Sequence, residues 1–111
     1  MSLQELKRER WQNFFDDVSK SLLTQQVKVE VTGPQLGDYV MANWIALNGL
    51  TYDPKEDALT VFAEGLEHRV RHPQHIHIDQ DVSSLHSLEA IDPEGNHHIV
   101  QLSAPLVLPS H

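Results

Sequence analysis

The sequence predicts an α+β domain: one N-terminal amphipathic helix packed on a bent antiparallel meander sheet, or partly open barrel, of five to seven strands. Three observations carry that expectation. Apolar residues recur at helical spacing from Trp11 to Leu22. The apolar period then falls from roughly 3.6 residues to roughly 2 after Gln25. Every later connection is a short turn and none is a helical crossover, so neighbouring strands run antiparallel.

Trp11, Phe14, Phe15, Val18 and Leu22 fall on one helical face, with Lys7, Arg8, Gln12, Asp16 and Lys20 on the other. Ser2-Leu3-Gln4-Glu5 fits a capping box, which places the helix start at Leu3; a start nearer Leu6 fits equally well. Three aromatics in so short a stripe require a broad apolar surface beneath them.

Val27, Val29 and Val31 alternate with Lys28, Glu30 and Thr32 as a half-buried strand, closed by Gly33-Pro34. Tyr39 to Tyr52 is apolar and only partly alternating, with a strand to about Leu47 and a bend or bulge at Asn48-Gly49. Trp44 alternates with Val40, Ala42 and Ala46, opposite Met41, Ile45 and Leu47, so both faces of this strand are apolar. Burial of Trp44 within the molecule is expected over an exposed patch that would pair with a second copy. Asp53 to Asp57 is a turn; Leu59, Val61 and Ala63 mark the next strand, and Glu64 to Glu67 a hairpin connection. His68 to Ile78 reads as a strand that is at an edge, bulged or split at Pro73, because proline cannot donate to a ladder. Asp79 to Ser84 is a polar loop. Leu85–Ile91 and His97–Ser103 flank Asp92-Pro93-Glu94-Gly95-Asn96, the clearest hairpin of the chain. Ala104 to Pro109 is an extended apolar tail whose Leu106 and Leu108 should dock.

The chain has 111 residues, a length suited to one domain, 1–111. Its formal charge is −8, from 16 acidic and 8 basic residues. A polyanionic duplex or membrane surface would repel it unless the cations were gathered in one place. The only local basic run, Lys7, Arg8 and Arg10, shares its helix with Asp16 and Asp17. The Phe and Tyr residues read as core, so neither nucleic acid nor membrane is expected as a partner. With no cysteine there is no disulfide framework, thiolate metal site or cysteine nucleophile. Met1 to Ser19 is charged throughout and unlike a signal peptide, and no apolar run reaches membrane-spanning length; the cytoplasm is the expected compartment.

Stretches spread along the chain carry a resemblance. They are Trp11-Gln12-Asn13-Phe14-Phe15-Asp16-Asp17, Val29-Glu30-Val31 with Gly33, Leu50 to Lys55, His68 to Pro73, Ser87 to Asp92, and Ile99-Val100-Gln101-Leu102 with Pro105-Leu106. In this order they resemble a family of small uncharacterised bacterial domains, a domain of unknown function. Its members open on a tryptophan–phenylalanine–phenylalanine helix and close on a leucine–proline tail. The resemblance implies a bacterial source and a shared fold, and implies no catalytic residues. Around the segment after Pro73, where relatives tend to carry charged residues or tyrosine, this chain has His75 and His77.

Eight histidines are the one compositional anomaly. His75-Ile76-His77 sets two imidazoles on one face of a strand, about 7 Å apart at ~3.3 Å per residue. Such a pair chelates a metal only with a third ligand, from His86, His97, His98 or Asp79. Ile76 and Ile78 are the natural core-facing residues, so His75 and His77 should point to water. His97 and His98 lie on opposite faces of their strand. His98 shares a side with Val100 and Leu102 and reads as a partly buried core histidine. His68, Val70 and His72 share a face and either line a polar pocket or belong to an edge strand blunted by charge, the second being favoured. The carboxylate pairs Asp16-Asp17, Asp79 with Asp81, and Glu64 with Glu67 lie on a helix surface, in a loop and in a turn, and read as solvated. Ser83, Ser84 and Ser87 have only His86 nearby, and no nucleophile elbow or phosphate-binding glycine loop occurs.

The expected function is a non-catalytic binding or protein-interaction module of the bacterial cytoplasm, self-associating or meeting an unidentified protein partner. The alternative is a small metal-binding protein or metal-dependent enzyme using His75 and His77. No catalytic, cofactor-binding or metal-ligating residue is assigned, and no cofactor.

Overall fold

The computed structural model describes residues 3–22, 25–81 and 84–107. Trp11, Phe14, Phe15 and Val18 form the buried stripe of α1 (Trp11–Ser21), as the spacing predicts. Each such side chain taken from water contributes about 1.5–3 kcal/mol, which is what holds an 11-residue helix too short to stand alone. Trp11 meets Tyr52 edge to face, and Phe14 meets Phe15 the same way.

The strands are β1 (Leu3–Glu5), β2 (Gln26–Gly33), β3 (Gly37–Asp53), β4 (Ala58–Ala63), β5 (Leu66–Arg71), β6 (His75–Gln80), β7 (Ser84–Ile91) and β8 (His97–Val107). They form one antiparallel sheet in the order β1-β6-β7-β8-β2-β3-β4-β5. Consecutive strands lie side by side from β2 to β5 and from β6 to β8, and β8 returns to pair with β2. The edge strands β5 and β1 do not pair with each other among the described residues, so the sheet is not closed. Pro73 sits at that break. The expectation of one strand from His68 to Ile78 is corrected to two strands at different places in the sheet. His72 leaves β5 at φ 53° and donates its backbone N–H to Asp57 O at 2.7 Å, while Gln74 donates to Ile91 O at 2.7 Å.

Among the described residues eight strands replace the five to seven expected, and the first of them, β1, lies where the earlier of the two expected helix starts falls. Leu3 to Glu5 pair with Asp79 to His77 on the otherwise free edge of β6. Leu6 then continues extended, its N–H donating to Ile76 O at 2.7 Å and its side chain buried. An open strand edge offers the backbone more hydrogen bonds than a first helical turn does, and a 3₁₀ turn (Arg8–Arg10) leads into α1 only after it. Ser2, the expected cap, lies outside the described residues. Arg8 spans the break. Its guanidinium lies over the Trp11 ring at 4.2 Å and donates to Pro73 O at 3.0 Å and to Asp57 Oδ1 at 3.2 Å.

Long β3 holds the sheet's curvature. Three of its residues have no partner in the register: Met41 and Trp44 opposite β2, and Asn48 opposite β4. Each is a bulge, which bends the strand and shifts the alternation of its faces. The bulge expected at Asn48-Gly49 is therefore present, and two more explain why Tyr39 to Tyr52 alternates only in part. The first half of β3 pairs with β2 and the second with β4. On the side that β2 leaves free, α1 docks: Ser19 Oγ donates to Leu50 O at 2.6 Å and accepts from Leu50 N–H at 3.0 Å.

The interior is lined as the period-2 reading predicts, by Val27, Val29 and Val31, by Leu59, Val61 and Ala63, and by Ile76 and Ile78. β8 runs on to Val107 where Ser103 was expected as its end. Leu106 is buried opposite Leu85, whereas Leu108 lies outside the described residues. Among the described residues no helix is long and apolar enough to cross a membrane.

Candidate functional site

Three features carry chemistry or unsatisfied surface: the histidines at the break in the sheet, the histidines on its outer face, and the open half of β3.

At the break, His68 on β5 and His98 on β8 both face inward, since their cross-strand partners Val61 and Val31 are core residues. Their rings meet at 5.1 Å between centroids, with His68 Nε2 2.9 Å from His98 Nδ1. His98 Nε2 lies 2.9 Å from Asp92 Oδ2. Asp92 opens the β7–β8 turn and its carboxylate organises it. Oδ1 accepts from the backbone N–H of Glu94 at 3.0 Å and Asn96 at 2.9 Å, and Oδ2 from Asn96 Nδ2 at 3.1 Å.

These bonds fix the tautomers. Burial acts to raise the Asp92 carboxyl, but the bonds from His98 and Asn96 outweigh it and hold it below the ordinary carboxylate value. An ionised carboxylate only accepts, so His98 Nε2 donates and its Nδ1 is the lone-pair nitrogen. His68 Nε2 must then donate to that nitrogen, and His68 Nδ1 is left as the basic end of the chain. It has no partner among the described residues and is not sealed from solvent. Burial, and secondarily the neighbouring His98, push His68 below the ordinary histidine value. Beside this relay lies a hollow of about 490 Å³ between the edge of β5 and the β7–β8 turn, lined on one side by Arg69, Arg71 and His72 and on the other by Asp92, Glu94 and His98.

Sequence reasoning marked His98 as a core histidine and put His68 on the face of Val70; both hold. His72 departs from that face and pairs instead with Asp57 at 3.2 Å. Asp57 also accepts from Tyr52 Oη at 2.6 Å. That bond is the main reason its carboxyl lies below the ordinary value, with His72 and Arg8 adding to it. The relay was missed because its members come from positions 68, 92 and 98. Only the inward parity of two histidines signalled it.

His75 and His77 project from the outer face of β6, away from the core, as expected: Ile76 and Ile78 are buried. Their rings stack at 6.1 Å. His75 Nδ1 is 2.8 Å from Glu5 Oε2, while Glu89 lies between His77 Nδ1 at 3.7 Å and His97 Nδ1 at 3.1 Å. His86 pairs with Asp81 at 3.0 Å. Among the described residues no three histidine, aspartate or glutamate side chains converge where a metal ion could sit.

The first half of β3 corrects the expected burial of Trp44. Trp44 is 40% exposed and is itself a bulge residue at φ 58°. Tyr39, Val40 and Met41 are more exposed still, and Phe62 on β4 is exposed as well, so Tyr39 and Phe62 are not core. The bulge is the physical reason. An inserted residue has no cross-strand partner and shifts the alternation of those that follow, so alternation read along the sequence cannot place it. β4 pairs with β3 only from Leu47 onward. Glu64 N–H donates to Ala46 O at 2.9 Å, and beyond that point Gly37–Ile45 has no strand on its second side among the described residues.

Comparison with known proteins agrees with the resemblance carried by the motifs. A protein of Aquifex aeolicus (strain VF5), described as an uncharacterized protein, is 32% identical over 110 residues, covering 98% of this chain and 99% of the relative. No solved structure matches the chain. A family model described as a family of unknown function matches residues 2–111. With its described part folded as one helix on an eight-stranded sheet, the chain belongs to this family of small uncharacterised bacterial domains, DUF5335.

Proposed function

We propose that the chain is a non-catalytic protein-interaction module of the cytoplasm and that its partner is a second copy of itself, met through the open half of β3. One observation carries the reading: Tyr39 to Leu47 contains no charged residue, borders a strand edge that is unpaired among the described residues and exposes Tyr39, Val40, Met41 and Trp44. On a molecule of charge −8, a neutral stretch is where two copies can meet without opposing like charges. Such a contact is closed and two-fold, each copy presenting the same segment. The bulges at Met41 and Trp44 interrupt a continuous ladder, so the contact rests on interlocked side chains more than on added strand hydrogen bonds.

Sedimentation velocity over about 1 μM to 1 mM tests this. A dimer that grows with concentration and is lost in Trp44→Glu supports the reading; a strict monomer at the top of that range sinks it. The metal-dependent alternative on His75 and His77 lacks a third donor among the described residues, and no other observation favours it.

A further inference from the structure

We propose that the hollow at the break in the sheet binds a small oxyanion, a carboxylate or phosphate, gripped by Arg71 and taken up together with a proton on the His68–His98 pair. The site is separate from the β3 surface and does not depend on self-association.

Arg71 lines this hollow and a second one of about 250 Å³ that shares Arg69 and His72 with it and adds Lys55. Arg71 has no hydrogen bond or ion pair among the described residues, whereas Arg69 is held by Glu67 at 3.4 Å. A guanidinium without an internal partner on a strand edge, facing a hollow, is the geometry that takes an oxyanion through two parallel N–H bonds. Folding thus brings Lys55 to Arg69 and Arg71, and three of the chain's eight cations meet there.

The charged and titratable groups facing this space come from four elements. β5 gives Arg69, Arg71 and, beyond its end, His72. The β3–β4 turn gives Lys55 and Glu56, the β7–β8 turn gives Asp92 and Glu94, and β8 gives His98. The negative charge of Asp92 is offset in part by the donors of Glu94, Asn96 and His98 that its oxygens hold. That of Asp57 is likewise offset in part by Tyr52, Arg8 and His72. Glu56 and Glu94 are exposed on their turns and oppose the cations from the rim.

The relay supplies the coupling. A proton arriving at His68 Nδ1 makes an imidazolium that shares its charge along the bond to His98 and on to Asp92. A second proton would make His68 Nε2 and His98 Nδ1 both donors and break their bond, so the pair takes one. That single positive charge reaches the hollow through His98, which lines it; Asp92 compensates part of the charge, and an anion in the hollow adds to that compensation. Anion and proton therefore favour each other, and by linkage each strengthens the other's binding equally.

Titration calorimetry of the full chain tests this with inorganic phosphate and, separately, succinate, each at pH 6 and pH 8 in two buffers of different ionisation heat. The expected result is binding of at least one of them, several-fold tighter at pH 6 with net proton uptake, and weakened about tenfold in Arg71→Gln. For phosphate, which itself titrates near pH 7, the comparison is with His68→Gln. That variant should bind but lose the excess proton uptake. The arm that binds identifies phosphate or carboxylate as the chemistry. No binding of either anion at tens of millimolar, or equal binding by Arg71→Gln with unchanged circular dichroism, overturns the proposal; so does proton uptake that survives His68→Gln.

Discussion

Asp92 Oδ2 and His98 Nε2 lie 2.9 Å apart, and each side chain is only about a tenth exposed. The contact sets the direction of every proton beyond it. With a carboxylate at 92, His98 carries its proton on Nε2. With an amide there, Asp92→Asn can donate, and the proton of His98 moves to Nδ1, reversing the bond to His68. Nitrogen NMR of the imidazoles should show His98 as the Nε2–H tautomer in wild type and as Nδ1–H in Asp92→Asn. The same tautomer in both would sink the relay. Asp92→Ala loses the acceptor for four donors and should cost about 2–4 kcal/mol in urea unfolding.

Gly33 closes β2 against the turn that Asp92 organises. A Cβ at Gly33 would run into the Asn96 side chain, whose Nδ2 donates to Asp92. Gly33→Ala therefore displaces that amide and should cost about 1–2 kcal/mol. In an Asn96→Ala background the obstruction and the bond are both gone. The cost of Gly33→Ala should then shrink by at least half, a coupling that a double-mutant cycle reads directly. Additive costs would place the effect of Gly33 elsewhere.

The parts of this molecule legible in its sequence are those where one residue's neighbours decide its environment. Val27, Val29 and Val31 alternate without interruption and are buried; Asp92 to Asn96 has the residues its turn requires. Ile76 and Ile78 turn inward and send His75 and His77 to water. Legibility failed where a distant segment decides. Leu3 to Glu5 became strand because β6, far along the chain at Asp79 to His77, offered an edge. Trp44 turned out to solvent because the count of residues facing β2 exceeds the count on β2. The candidate site failed for the same reason: His68, Asp92, His98 and Arg71 are brought together only by the return of β8 onto β2 and the break at Pro73.

Ser19 ties α1 to β3 with both ends of one hydroxyl, donating to Leu50 O and accepting from Leu50 N–H. Leu50 belongs to the half of β3 that β2 does not reach, so the hydroxyl stands in for the missing strand. Ser19→Ala leaves both backbone groups without that partner and should destabilise by about 1–3 kcal/mol. Hydrogen exchange should locate the loss: the Leu50 amide should exchange faster in Ser19→Ala while amides of β7 and β8 keep their protection relative to global unfolding. Uniform acceleration across the sheet would mean that the helix and sheet unfold as one unit.

The pH dependence of stability should have two stages, with opposite chemistry and the same sign. His68 is held below its ordinary value of 6.5. From there down to its folded value the unfolded chain binds the proton that the folded chain refuses. Stability from this group is complete above pH 6.5 and erodes as the pH falls. Asp57 and Asp92 are held below their ordinary value of 3.8, so what they contribute is present above that pH and is lost as the pH falls through their folded values. His68→Gln keeps an amide donor within reach of His98 Nδ1 but cannot titrate. In phosphate-free buffer, its urea midpoint relative to wild type should be lowest near pH 8 and should recover as the pH falls below about 6.5, while both proteins lose stability together below about pH 4. A difference between the two proteins that stays constant from pH 8 to pH 5 would mean that His68 takes its proton equally well in the folded and unfolded chains.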